Sequence, residues 1–225
     1  MAPIDGLDLF VFDLAGTTVR DDRCVQRAFE GAAQDAGLRA DSEWLRARMG
    51  WSKARVFTEL LSRNEQDPSR ASALVGAFER HLLAIYTESP ITPTDGAHEA
   101  IAALEASGVE VAFSTGFPRV ITDQILSALG WSGRINVASD EVPNGRPAPD
   151  LLHAAMRMAT VADAARVGAA GDTPSDLEAA TRAGCAVVAG LGCGTHTLEE
   201  LGRHEHTHLA AGPLELLAQL RGPRS

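Results

Sequence analysis

The chain is 225 residues long, 45% hydrophobic and 22% charged, with 30 Asp plus Glu against 20 Lys plus Arg. Those proportions exclude a disordered, collagen-like or coiled-coil chain, and the acidic balance, with no basic stripe, speaks against a nucleic-acid partner. Three cysteines (Cys24, Cys185, Cys193) suit neither a disulfide framework nor a zinc knuckle, no run of about 18 apolar residues suggests a membrane span, and the opening segment lacks the basic-then-apolar layout of a secretion signal, so the expected location is the cytoplasm.

The first apolar run, Leu7 to Phe12, stops at Asp13 before a Gly-Thr-Thr turn and reads as a buried strand. From about Arg20 to Ser89 the pattern changes to helical. Val25, Ala28, Phe29, Ala32, Ala33 and Ala36 share one face, Val56, Phe57, Leu60 and Leu61 begin another, and a third helix is expected from Pro68 to Tyr86. Ser-Pro-Ile-Thr-Pro at Ser89 to Pro93 is a turn-rich hinge candidate. Beyond it, Val109–Phe113, Val167–Ala170 and Ala186–Ala189 are further short apolar runs, separated by helical patterns such as Ala97, Ala100, Ile101 and Leu104. The alternation predicts an α/β fold with a Rossmann-like, doubly wound parallel sheet as core, residues 1–19 and 90–225, and an inserted helical cap, residues 20–89. Ligands of such sheets bind beyond the carboxyl ends of the strands, where Asp13, Thr115 and Asp172 fall.

Four strand-end segments occur in order: DLAGTT (Asp13 to Thr18), FSTGFPR (Phe113 to Arg119), NGRPAPD (Asn144 to Asp150) and AGDTPSD (Ala170 to Asp176). An ionised Asp13 could attack phosphorus. The hydroxyl of Thr115, with Gly116 and the helix start at Pro118, suits an anion. Arg146, in a stiff proline-flanked loop, could neutralise the nucleophile and the transferring oxygens. Asp172 and Asp176 suit Mg²⁺, which takes carboxylates plus water and substrate phosphate. The glycine-rich stretch Gly190 to Gly194 lacks the spacing of a dinucleotide fingerprint.

In this order the segments resemble the haloacid dehalogenase (HAD) superfamily over essentially the whole chain. The resemblance implies a nucleophilic Asp13, a phosphate-binding hydroxyl on Thr115, a cationic Arg146, and Mg²⁺ held by Asp13, the carbonyl of Ala15, Asp172 and Asp176. Thr17 and Gly116 fall among the implied substrate-binding positions. Most HAD phosphatases carry a second Asp where this chain has Ala15, and that Asp looks like the acid that protonates an alkoxide leaving group. Alanine there is expected in the phosphonoacetaldehyde hydrolase branch, whose cap lysine forms a Schiff base with the substrate aldehyde.

The segment Met49-Gly50-Trp51-Ser52-Lys53 is similar to the lysine loop of that branch, and nearly all the basic charge in the chain is Arg. Trp51 and Phe57 could give the amine apolar cover and Arg55 a neighbouring charge, either of which would depress its pKa. Where phosphonoacetaldehyde hydrolases place a His and a Tyr, this chain has Val56 and Phe117. Lys53 is therefore read either as a Schiff-base lysine, as a clamp for a substrate phosphate or carboxylate, or as a solvated charge at a helix start, with Gly50 and Trp51 beside the substrate. The expected activity is Mg²⁺-dependent hydrolysis of a small phosphonate or phosphate compound, against a phosphomonoesterase or a non-catalytic binding protein as alternatives, and the resemblance further implies a homodimer.

Overall fold

Six strands stand among residues 4 and 6–222, the residues described by the computed structural model: β1 (Leu9–Phe12), β2 (Glu110–Ser114), β3 (Ile135–Val137), β4 (Val167–Gly171), β5 (Val187–Leu191) and β6 (His208–Ala210). They form one sheet in the order β3-β2-β1-β4-β5-β6, every neighbouring pair parallel. The sheet is covered on both faces, so its central strands are near-continuous apolar runs rather than alternating ones. Leu9 and Val11 pack with Leu151, Leu152, Leu177 and Ala180 on one side, while Phe10 and Phe12 belong to the larger core on the other. The ends of the expected core range, residues 1–3, 5 and 223–225, lie outside the described residues.

Between β1 and β2 the chain runs through α1 (Cys24–Asp35), α2 (Ser42–Arg46), α3 (Lys53–Arg63), α4 (Ala71–Glu88) and then α5 (Ala97–Glu105). The first, third and fourth of these close on the rings of Phe29, Phe57 and Phe78, whose centroids lie 4.7–6.3 Å apart, within the range in which aromatic pairs attract. Ser52 and Asp41 cap α3 and α2 by accepting from Arg55 N and Trp44 N. The rest of the sheet is flanked by α6 (Arg119–Ala128), α7 (Asp150–Met158), α8 (Pro174–Ala183), α9 (Leu198–Leu201) and α10 (Pro213–Arg221).

Sequence and structure differ at the edges. Neither β3 nor β6 reads as a buried run, because each has three residues of which two are only half-buried. The helices α2 and α9, of five and four residues, are too short to show a period. Where the chain leaves and re-enters the sheet domain, its two strands are tied together: Arg20 N donates to Thr92 O and Thr94 N to Thr18 O, both at 3.0 Å.

Candidate active site

Register brings the site together. Phe12 pairs with Phe113 on one side and Ala170 on the other, so Asp13, one residue on, emerges level with Ser114 and Gly171, and Thr115 and Asp172 follow in the next position. The strand order reverses around β1, and the crevice opens there. Seven of the expected residues line a single narrow cavity: Asp13, Ala15, Thr115, Gly116 and Asp172 from the sheet domain, Gly50 and Lys53 from the helical layer.

Three others stand behind that lining. The Arg146 guanidinium is buried with Nη1 2.5 Å from Asp13 Oδ1 and 2.6 Å from Asp176 Oδ1, while Nη2 donates to the carbonyl and the hydroxyl of Ser114 at 2.7 Å each. Its charge thus reaches the cavity through Asp13. Asp176 Oδ2 takes the N–H and the hydroxyl of Thr173 in a capping box at the start of α8. One oxygen of Asp176 is thus held by Thr173, while the other, Oδ1, lies against Arg146 and has no hydrogen-bond partner among the described residues. Thr17 donates to Asp172 Oδ1 at 3.2 Å and does not itself line the cavity. Trp51 does not line the cavity. Two guanidinium groups stack near its indole, Arg55 at 3.6 Å and Arg48 at 5.5 Å from its centroid.

The expected cover of Lys53 is corrected as well. Its amine, buried to 4% exposure, lies 4.6 Å from the ring centroid of Phe117, 5.4 Å from Phe29 and 5.5 Å from Phe78. Phe57 packs behind two of those rings, and Arg55 is turned to Trp51. Burial pushes the amine down to about 8, against the opposing pull of Asp13 and Asp21. Lys53 is also the one lysine in the chain. The three carboxyls are shifted the other way: burial raises Asp13, Asp172 and Asp176, Arg146 opposing it at Asp13 and Asp176.

The helical layer is closed on the sheet. Gly50, at φ +85°, packs so tightly that an added Cβ would stand 2.5 Å from Thr173 Oγ1 and 2.6 Å from Ser175 Oγ, and one on Gly116 would meet the Trp51 carbonyl at 2.7 Å. Ser175 donates to Met49 O, and Arg46 of α2 makes a two-pronged pair with Glu200 and donates to Thr195 O. What remains of the cavity is about 20 Å³, room for one water. It shares Asp21, Met49 and Thr195 with a wider cleft of about 720 Å³ that opens beside the chain crossing.

The residues present fit a magnesium ion. Two carboxylates with a substrate phosphate and water are what that ion takes from a protein. Asp13 and Asp172 supply the carboxylates, and the Ala15 carbonyl accepts no hydrogen bond among the described residues. A cation there would relieve the raised acids.

Sequence reasoning passed over Ser114, Thr195 and Asp21. Thr195 N donates to Asp172 Oδ2 at 2.6 Å, and a Cβ on Gly194 would overlap that carboxylate. Gly194 thus serves a close approach to Asp172, whereas Gly190 and Gly192 pack against Leu209 and Leu198. Asp21 would have been found by asking where another acid stands near Ala15.

A family model of haloacid dehalogenase-like hydrolases matches residues 7–184. Over 198 residues, 86% of this chain and 84% of the relative, 30% of positions are identical to "Probable phosphatase IndB" of Dickeya dadantii. Phosphonoacetaldehyde hydrolase of Bacteroides fragilis is 30% identical over 189 residues, 76% of this chain and 71% of its own. Among solved structures, a hydrolase from Pseudomonas syringae superposes with TM-score 0.86 over 95% of this chain and 97% of that one at 23% identity. A phosphonoacetaldehyde hydrolase-like protein from Oleispira antarctica gives 0.80 at 18%, covering 98% and 95%. Likeness at that identity speaks for the fold.

Proposed function

We propose a function from one premise: this chain belongs to the haloacid dehalogenase-like hydrolases. It acts on a small phosphonate or phosphate compound by attack of the Asp13 carboxylate on phosphorus, forming an aspartyl-phosphate that water then cleaves. Thr115 and the backbone at Gly116 receive the phosphoryl oxygens. Arg146, fixed by Asp176 and Ser114, holds Asp13 in line and keeps it ionised despite burial. Asp13, Asp172 and the Ala15 carbonyl would hold Mg²⁺, which when bound offsets the charge gathering on the phosphoryl group. The helices of 24–88 act as a cap, which withdraws to admit substrate and closes to exclude water, since the closed cavity holds no more than a water molecule.

One observation favours the phosphonate branch: the chain's lone lysine is buried among three phenyl rings, in the same cavity as Asp13. A desolvated amine of lowered pKa is suited to condense with an aldehyde, and the imine then accepts the electrons of the breaking P–C bond. Relatives named phosphonoacetaldehyde hydrolase agree with that reading. The ester reading has its own support, because the buried Val56 and Phe117 stand where phosphonoacetaldehyde hydrolases are expected to place a His and a Tyr, and neither carries a proton.

Inorganic phosphate released from phosphonoacetaldehyde and from a panel of phosphate monoesters, with Mg²⁺, decides between them. Asp13→Asn is expected to abolish every turnover. Borohydride with the aldehyde is expected to fix the substrate carbon skeleton on Lys53 and to spare Lys53→Arg. Ester turnover with an indifferent Lys53→Arg would overturn the P–C reading.

A further inference from the structure

We propose that Asp21 is the acid that protonates the atom leaving phosphorus, in place of the carboxylate that Ala15 lacks. The inference rests on the reading that Asp13 attacks phosphorus. As the new O–P bond forms and the old bond to phosphorus breaks, the leaving group keeps the electron pair, on oxygen for an ester and in the enamine for an imine-linked phosphonate. The Asp21 carboxylic acid gives it a proton and becomes a carboxylate. That carboxylate next takes a proton from the water that attacks the aspartyl-phosphate, which restores both acids and releases phosphate.

Asp21 is at the right place for this. It lines the narrow cavity with Asp13, Lys53 and Thr115, and it also lines the wider cleft, so it stands between the reacting centre and the solvent. Among the described residues only Oδ1 is committed, accepting from Val25 N at 3.0 Å where α1 begins. Other polar groups of the cavity are engaged: the Thr115 hydroxyl accepts from Phe117 N, Thr173 binds Asp176, and Asp172 takes Thr17 and Thr195. Around Asp21 stand Lys53 of α3, Cys24 of α1, Tyr86 of α4 and Asp13 of the sheet, with Asp22 next in the chain. Tyr86 Oη is buried without a hydrogen-bond partner among the described residues. Burial raises Asp21 despite the opposing Val25 N–H and Lys53, which favours the protonated form that a donor needs.

The test is sensitivity to the leaving group. Asp21→Asn keeps the bond from Val25 N, so the start of α1 and the melting temperature should survive. With an alkyl phosphate, whose alkoxide needs a proton, turnover should drop by on the order of 10²–10⁴ relative to wild type. With 4-nitrophenyl phosphate, whose anion leaves unprotonated, the drop should be at least tenfold smaller. Adding Ala15→Asp to Asp21→Asn should restore the alkyl rate. Equal losses on both esters, or none on the alkyl ester, would overturn the assignment. Should phosphonoacetaldehyde be the one substrate turned over, Asp21→Asn must slow phosphate release yet leave borohydride trapping on Lys53 intact; lost trapping would mark Asp21 as structural and overturn it too. Wild type releasing no phosphate, or full activity in Asp13→Asn, would overturn the nucleophile reading and this inference with it.

Discussion

Arg146 Nη1 stands 2.5 Å from Asp13 Oδ1, in a place where neither side chain is more than a few per cent exposed. The same nitrogen meets Asp176, so one guanidinium compensates two buried acids. Removing one member of such a set leaves charge without compensation, at a cost of about 3–5 kcal/mol. Arg146→Ala should therefore lower stability by that order in urea unfolding and abolish turnover. Arg146→Lys should retain part of the stability but lose the two hydrogen bonds to Ser114, with turnover falling on the order of 10² or more.

The amine of Lys53, at about 8, is neutral in about one molecule in ten at pH 7, against on the order of one in 2,500 for an ordinary lysine. If the neutral amine condenses with an aldehyde, kcat/KM for phosphonoacetaldehyde should climb as pH passes through about 8. The stability consequence has a definite sign. Between about 8 and the unfolded value near ~10.4 the unfolded chain binds the extra proton, so the native state gains as pH rises through that window. Below it, the penalty for burying the cation is present in full. Urea midpoints of wild type and Lys53→Met, compared at pH 7 and 9.5, should converge as the pH increases.

Gly50→Ala is expected to hold the cap ajar, because the new methyl meets the hydroxyls of Thr173 and Ser175 at 2.5–2.6 Å and the backbone is in a left-handed conformation. Turnover should fall at least tenfold. The single lysine makes the cause visible: its labelling by an amine-reactive reagent, followed by peptide mass analysis, should be faster in the variant.

Magnesium should raise the melting temperature of the wild-type protein in a concentration-dependent manner, by the linkage expected of a ligand that binds the native state. Asp172→Asn should flatten that dependence, and chelation should silence phosphate release. A melting temperature indifferent to magnesium in wild type would remove the ion from the site.

Much of this was legible in the sequence because parallel strands covered on both faces are short apolar runs, and because catalytic side chains of such sheets follow directly on those runs. Asp13, Thr115 and Asp172 were placed by that rule alone. What stayed hidden depends on distant parts of the chain. The rings around Lys53 come from positions 29, 78 and 117, and no local pattern links them. Spacing offered Asp176 as a metal ligand, but it does not reveal that one of its oxygens caps α8 through Thr173 and the other lies against Arg146. Edge strands of three residues, β3 and β6, carry too little apolar length to register.

The paired chain crossing, Thr18 and Arg20 bonded to Thr94 and Thr92, has a mechanical implication. Two separate tethers would let the helices drift and tilt in many directions, whereas a stitched ribbon behaves as a door with one axle. On that account Asp13 and Lys53 are brought face to face by a single coordinate, and lengthening either tether by one residue would spoil their alignment without altering either side chain.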